Sequence, residues 1–473
     1  MKFWMEKRME KKDNNRHIAI ISYSFIIIFV GLIVYFTVFV MKDNSKMLNN
    51  PYNRTDDLLA ERVIRGNIYT SDMEIIAETV VDNDGNETRS YPSDNMFAHV
   101  AGYYDKGKTG LEDAYNYYLI NCNDNYVNQA LNDIKGEKNQ ADSLVTTLDM
   151  SLQKCAYQAL GNRKGAVVIL DPETGAVLAM VSKPDFNPNN IESEWNKLIS
   201  DKDNSPLLNR ASAGLYPPGS TFKLVTLLAY MRSGNNYNKY KYECNGSFIY
   251  NGHKISCYNK KKHGKEDLKS AFASSCNCAF SDIGLSIDNQ TFKDVCSSLY
   301  FNTSFPSEIA SSKSSFKLSK KNSAAVMQTA IGQGKTLISP LHNAVLISAC
   351  ANGGYAVKPY IVSGIVNCNG KTVKRFEHPE KEQIIFENEL PYINSCLKEV
   401  VENGTARALS GAEYKVYGKT GTAEYNSDGD SHAWFIGYAD YGHKKLAVSI
   451  IVEDSGTGSD YAVPVAKKIF DTP

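Results

Sequence analysis

An excess of charge of either sign is missing from this chain: 52 Lys and Arg stand against 52 Asp and Glu in 473 residues. That balance excludes a whole-protein attraction to nucleic acid as the organising principle. Cysteine is sparse, with ten residues, far below the density of a small disulfide scaffold, so any cysteine chemistry is local. No repeat recurs at a fixed period. Disorder as the main state is excluded as well, because 42% of the residues are hydrophobic and 22% charged, the balance of ordinary folded protein. The length predicts two or three domains.

What is present begins at the N-terminus. Residues Met1 to Arg16 carry six Lys or Arg, and Ile18 to Met41 then run for 24 residues without a charge. As a helix, that run spans about 36 Å, against about 30 Å of hydrocarbon. It stays bulky through Tyr35, Phe36 and Phe39, where a signal peptide would shorten and end on small residues, so it reads as an uncleaved anchor. The positive-inside rule makes residues 1–17 a cytoplasmic tail, 18–41 a single transmembrane span, and everything beyond Lys42 extracellular.

Residues 42–144 are polar and irregular, with short strand candidates at Arg65–Tyr69 and Glu74–Val80, and read as a spacer. From residue 145 the texture tightens. Ser151–Leu160 is helical, and strands Gly165–Leu170 and Ala176–Ser182 flank the turn Asp171-Pro-Glu-Thr-Gly175. Three further strand candidates, Tyr417–Glu424, His432–Ala439 and Lys444–Glu453, lie near the C-terminus, and residues 206–350 have helical apolar spacing between the two groups. Strands at both ends and helices between them predict an α+β domain whose terminal strands share one antiparallel sheet flanked by helices.

The chemistry starts at Pro217-Pro-Gly219-Ser220-Thr-Phe-Lys223. Prolines and a glycine ahead of a helical stretch predict Ser220 on a first helical turn, where free N–H groups can support an oxyanion. Lys223 at i+3 shares its face, giving a nucleophile beside a potential base. Ser-x-x-Lys alone is weak, since Ser151–Lys154 and Ser314–Lys317 match it too. The Ser220 copy is singled out by two motifs downstream of it in the chain: Ser275-Cys276-Asn277, then Lys419-Thr420-Gly421 on a predicted strand. Ser93-Asp-Asn95 and Lys108-Thr-Gly110 fit the same two patterns but precede Ser220, so they cannot complete the order. Gly332-Gln-Gly334-Lys335-Thr336 echoes a phosphate loop, but Thr329 stands where a Walker glycine belongs.

With these three motifs the sequence resembles the penicillin-binding proteins, a family of serine acyl transferases. Flanking segments agree: Gly165-Ala-Val-Val, Asn209-Arg-Ala211, Ile331-Gly-Gln-Gly334 with Ser339-Pro340, and Asn403-Gly-Thr-Ala406. The resemblance covers about residues 145–473 and implies the penicillin-binding serine transpeptidase fold. It implies that Ser220 attacks a D-alanyl-D-alanine peptide and that Lys223, made neutral by burial and by Lys419, takes its proton. Ser275 relays that proton to the leaving amine, and Asn277 binds Lys223 and the substrate backbone. Lys419 attracts the terminal carboxylate, Thr420 and Thr422 hold it, and Gly421 lets substrate lie against the strand. The oxyanion hole is expected from the N–H groups of Ser220 and Thr422. No cofactor is required for this chemistry.

The residues before the catalytic domain are too few for a glycosyltransferase, so the chain resembles the monofunctional class B members. Arg65-Gly-Asn-Ile-Tyr69 and Gly107-Lys-Thr-Gly-Leu-Glu112 are similar to their pedestal segments, dividing the chain into a 42–144 pedestal and a 145–473 transpeptidase domain. The usual Asp-Arg-Asn-Gly pedestal turn is here Thr70-Ser-Asp-Met73. The partners implied are peptidoglycan stem peptide on a lipid-linked precursor, β-lactam antibiotics, and a polytopic glycosyltransferase of the shape, elongation, division and sporulation (SEDS) family. A D,D-carboxypeptidase and a membrane-bound β-lactamase or β-lactam sensor are the competing functions. The lactamase lacks its deacylating base, for no Glu-x-x-Leu-Asn loop is present.

Cys244, Cys257 and Cys276 fall close together with His253 and His263 between them. A hairpin centred on Asn251-Gly252 pairs Tyr250 with His253 and puts Cys244 diagonal to Cys257 on one face. Three readings stay open: a Cys₃His zinc site of Cys244, Cys257, His263 and Cys276, a Cys244–Cys257 disulfide, or unlinked thiols. Cys155, Cys296, Cys350 and Cys396 read as buried small hydrophobes.

Overall fold

The computed structural model describes residues 2–48, 62–304, 307, 309–318, 322–376, 381–424 and 431–472. Residues 49–61, the first part of the expected spacer, lie outside them. Helix α1 spans Lys2–Leu48, and its stretch Arg16–Val38, 23 residues with exposed side chains, is long and apolar enough to cross a membrane.

Next come β1 (Ile68–Tyr69), β2 (Ile75–Val81), β3 (Glu87–Ser90), β4 (Ser143–Thr146), α2 (Met150–Leu160), β5 (Gly165–Leu170) and β6 (Val177–Lys183). The middle of the chain supplies α3 (Lys223–Arg232), β7 (Lys241–Cys244), β8 (Ser247–Tyr250), β9 (His253–Ser256), β10 (Gly264–Asp267), α4 (Leu268–Ala273), α5 (Asn277–Ser286), α6 (Ser323–Ala330) and α7 (Pro340–Ala351). The last part supplies β11 (Val362–Val366), β12 (Thr372–Arg375), α8 (Leu390–Glu402), β13 (Lys415–Glu424), β14 (Ser431–Asp440), β15 (Lys445–Val452) and α9 (Gly458–Phe470).

The terminal strands do share a sheet. Five strands run in the order β13-β14-β15-β5-β6, every neighbour antiparallel. β14 and β5 are continuous apolar runs because both faces are covered, α7 packing on one side and α2 and α9 on the other. β13, which carries Lys419-Thr-Gly, is left as an edge strand, open to an extended ligand on its free side.

A second, six-stranded sheet has the order β12-β11-β4-β1-β2-β3. Leu144 of β4 lies between Ile68 and Ile365 in register, and all three are fully buried. Two strands of this sheet thus come from residues 362–375, far along the chain. The same part of the molecule explains the two pedestal segments. Glu112, wholly buried, accepts from Arg65 Nε and Arg89 Nε, both at 2.7 Å, while Arg65 Nη1 donates to Asn116. Burial works to raise the Glu112 pKa, and the two guanidiniums overcome it and hold it low.

Candidate active site and metal centre

Gly219–Phe222 form a tight 3₁₀ turn that passes directly into α3, so Ser220 precedes the α-helix by three residues and Lys223 is its first. Gly219 has φ +54°, and a Cβ there would stand 2.6 Å from the Thr422 carbonyl oxygen. The turn is therefore pressed against β13, with Gly219 N–H donating to Gly332 O and Trp434 Nε1 to Pro217 O. Ser220 itself is half-buried.

Lys223 is fully buried, and its Nζ donates to Ser275 O at 2.7 Å, Asn277 Oδ1 at 2.8 Å and Ser275 Oγ at 3.2 Å. Lys419, equally buried, donates to Ser275 Oγ at 3.0 Å and to Thr420 O. Ser275 reaches both amines because it sits at φ +57°, a left-handed conformation between α4 and α5. Capping sets that corner from the α5 side, where Cys276 is the N-cap and its sulfur accepts from Ala279 N; the capping box of Asp267 and Ser270 closes the far, N-terminal end of α4. Asn277 is fixed from its other end by Nδ2–H donation to Ser256 O.

Burial lowers the Lys223 pKa to about 8, and burial followed by the charge of Lys223 pushes Lys419 well below its ordinary range. Two amines that resist protonation thus share one hydroxyl. The arrangement is not a structural ion pair, since no carboxylate faces either amine within hydrogen-bond distance among the described residues.

All twelve expected site residues fall in two adjoining clusters. Lys223, Asn277 and Lys419 gather at Ser275, and the Ser220 turn lies against Gly421 and Thr422 of β13, with two differences in detail. The Thr420 hydroxyl is paired with Thr405 Oγ1 and buried, so Thr405 from Asn403–Ala406 belongs to the site. The space left by Gly421 is filled by Thr221 and Pro218 at 3.0 and 3.2 Å from a notional Cβ, so the missing side chain admits the Ser220 turn. The other two Ser-x-x-Lys copies are elsewhere: Ser151 is exposed on α2, and Ser314 is bonded to His342 Nδ1. Glu266 was not among the residues the sequence singled out. It is buried and accepts from Ser274 Oγ at 2.5 Å, directly before Ser275.

The second cluster joins the segment 241–267 to Cys276. Tyr250 pairs with His253 across Asn251 and Gly252, at φ +48° and +77°, as the hairpin reading expects. Cys244 belongs to the neighbouring β7–β10 pair, opposite Gly264. The donor atoms of Cys244, Cys257, His263 and Cys276 lie within 4.8 Å of one another. Cys257 Sγ is 3.6 Å from Cys244 Sγ and 3.7 Å from Cys276 Sγ, and Cys244 Sγ is 3.5 Å from His263 Nδ1. A tetrahedral zinc with bonds of about 2.3 Å needs sulfurs about 3.8 Å apart. The donor set therefore fits that ion in number, chemistry and spacing. Cys244 and Cys257 are both free thiols, so the disulfide reading does not hold here. Cys296, Cys350 and Cys396 are buried as expected, but Cys155 is half-exposed in the middle of α2, near Lys468 O and Thr472 Oγ1.

Comparison with known proteins agrees with this geometry. Residues 165–471 match the penicillin binding protein transpeptidase domain, and residues 65–144 match the penicillin binding protein A dimerisation domain. The chain is 29% identical over 458 residues to the peptidoglycan D,D-transpeptidase PbpA of Mycolicibacterium smegmatis, covering 90% of each protein. It is 30% identical over 432 residues to penicillin-binding protein 3 of Bacillus subtilis, covering 81% of this chain and 62% of that protein. Among solved structures, the ceftriaxone acyl-enzyme complex of penicillin-binding protein A from M. tuberculosis superposes with a TM-score of 0.80 at 25% identity, over 88% of this chain and 99% of that one. With a dimerisation domain ahead of a transpeptidase domain and the three motifs converging on Ser275, the chain belongs to the penicillin-binding proteins of class B.

Proposed function

We propose that this protein cross-links peptidoglycan by serine acyl transfer, with Ser220 as nucleophile and Lys223 as its base. The convergence of Lys223 and Lys419 on Ser275 Oγ carries the reading. Ser220 Oγ bonds to the carbonyl carbon of a D-alanyl-D-alanine peptide, the peptide C–N bond breaks, and D-alanine leaves. The serine proton passes to Lys223, and through Ser275 it reaches the departing amine. An amine of a neighbouring stem peptide then attacks the acyl-enzyme and frees Ser220. The N–H groups of Ser220 and Thr422, brought together by the contact at Gly219, are the donors to the oxyanion. Lys419 takes the substrate carboxylate, a negative charge that restores the charged form its burial disfavours. Thr422, half-buried on the edge strand, adds a hydroxyl, and Thr405 holds Thr420 in place.

Residues 1–17 are proposed to be cytoplasmic, 18–41 to be the anchor, 42–144 the pedestal and 145–473 the catalytic domain outside the cell. The six lysines and arginines before the span support that orientation. A polytopic SEDS-family glycosyltransferase is the proposed membrane partner, supplying glycan strands for cross-linking. Cys244, Cys257, His263 and Cys276 are proposed to hold a structural zinc. When bound, it supplies rigidity to the loop that carries Ser275 and Asn277, and it takes no part in the acyl transfer.

The test is an intact mass of the full chain in detergent with and without penicillin. One adduct on Ser220, lasting hours, is expected. An adduct lost in seconds points to a β-lactamase, and an adduct on another serine overturns the assignment. With a D-alanyl-D-alanine peptide and an acceptor amine, a carboxypeptidase releases the hydrolysed acid alone, whereas cross-linked product is expected here.

A further inference from the structure

A fourth sulfur stands beside the four candidate metal donors. Cys278, the residue after Asn277, is fully buried, and its Sγ lies 3.4 Å from Cys257 Sγ. That is shorter than the distance from Cys257 to Cys244 or to Cys276. Seen from Cys257, three sulfurs occupy positions close to the tetrahedral edge of about 3.8 Å. The chain therefore offers four thiols and one imidazole to an ion that takes four ligands. Cys278 is on the first turn of α5, two residues after Cys276. His263 is the least enclosed of the five: it is only partly buried, in a loop just before β10, while all four cysteines are buried.

We propose that Cys278 is a standby metal ligand: an outer thiol on Cys257 while His263 is bound, and the fourth thiolate when His263 leaves. This rests on the proposed zinc site. In the exchange one metal–nitrogen bond breaks, one metal–sulfur bond forms, and the Cys278 proton goes to the released imidazole or to water. No oxidant or reductant is needed. Cys276 and Cys278 flank Asn277, so a Cys₄ set would grip the residue that accepts from Lys223 from both sides.

The experiment uses the full chain in detergent, reduced, stripped with a chelator and titrated with Co²⁺, whose thiolate charge-transfer absorption counts sulfur ligands. Wild type is expected to bind one Co²⁺ with a three-thiolate band. His263→Ala is expected to keep one Co²⁺ with that band stronger by about one third, as a Cys₄ site requires. His263→Ala with Cys278→Ala is expected to lose it. Loss of Co²⁺ from His263→Ala alone, while wild type binds, overturns the standby role and leaves the zinc reading intact. A wild-type chain that takes up no metal overturns both. Should His263→Ala fail to fold, Cys278→Ala alone decides: zinc affinity is expected to fall by about tenfold, the low end for loss of an outer-shell partner. Cys296→Ala, a buried cysteine outside the cluster, serves as the control. Equal zinc affinity in wild type and Cys278→Ala overturns the proposal.

Discussion

Ser275 Oγ accepts from Lys419 Nζ at 3.0 Å although the two residues are 144 positions apart in the chain. The same oxygen lies 3.2 Å from Lys223 Nζ, so one serine bridges the amine beside the nucleophile and the amine of the substrate strand. The bridge depends on the φ of +57° at Ser275, which turns its side chain and its carbonyl toward Lys223 at once. Such a conformation costs roughly 1–3 kcal/mol and persists only where its surroundings enforce it. Here the Cys276 cap of α5 and the Ser274–Glu266 hydrogen bond, on either side of Ser275, do so.

Replacing Lys223 with Arg keeps the positive charge but removes a base that can be free near neutrality. Penicillin acylation of Lys223→Arg is expected to fall by at least about 10²-fold, the low end of general-base contributions. Second-order acylation rates by stopped flow would measure it. Near-normal acylation in this variant would reject Lys223 as the base.

The pH dependence is set by burial. Because the Lys223 pKa is lowered to about 8, the neutral amine is the minor form below that pH and the main form above it. Acylation is expected to rise about tenfold per pH unit from pH 6 toward 8 and then level off. A flat profile over that range would mean that another group takes the serine proton.

Most of the catalytic domain was legible because its signals are local. The run Gly165–Leu170 can only be a buried strand, and the Asn251-Gly252 pair sets its hairpin register unaided. The order of the three motifs named the site without any distance. What stayed hidden was long-range. Thr405 meets Thr420, and Glu266 meets Ser274, through packing that no spacing announces. The strands at 362–375 that complete the six-stranded sheet carry no mark of their partner 220 positions away, since an antiparallel partner is chosen by shared burial, as at Ile365 and Leu144. Gly421 was read as room for substrate because a sequence displays a missing side chain and not what fills its place.

That last point is testable. A Cβ at residue 421 would meet Thr221 Cγ2 and Trp434 Cβ at 3.0 Å, so the Ser220 turn must give by a few tenths of an ångström. Gly421→Ala is expected to fold with a loss of about 1–3 kcal/mol, the usual cost of overpacking. Acylation should drop by an order of magnitude or more, as displaced nucleophiles do. Unchanged acylation would show that the turn is not held by this contact.

In the pedestal, Glu112→Gln would leave Arg65 and Arg89 buried, with side chains 7% and 3% exposed, and no carboxylate between them. A loss of about 3–5 kcal/mol is expected in denaturant unfolding. The Glu112 pKa is held low in the folded chain, so its stabilisation is present above the ordinary carboxylate value of 4.5 and is lost as pH falls through the folded value. Acid sensitivity should therefore be milder in Glu112→Gln than in wild type. Equal acid sensitivity in the two would count against the pairing.

The Cys244, Cys257, His263 and Cys276 cluster meets the Ser-x-Asn motif at Cys276. Its sulfur is within 3.7 Å of Cys257 Sγ and caps α5, while its backbone joins Ser275 to Asn277. Purified chain is expected to hold about one zinc. Removing it is expected to free Cys276 from the segment 241–267, so that the two motif side chains lose part of their alignment with Lys223. Fractions of an ångström suffice to slow acylation substantially. Cys276→Ser and Cys257→Ser should each lower metal content by atomic emission and lower the penicillin acylation rate together. Protons compete for thiolates and imidazole, so metal and acylation should also fall together in acid and with chelator, and return when zinc is restored. If metal-free protein acylates at the wild-type rate, the cluster stabilises the segment 241–267 without aligning the motif. If acylation falls with the metal and returns with it, the corner between α4 and α5 is held from the metal side as well as by the Cys276 cap.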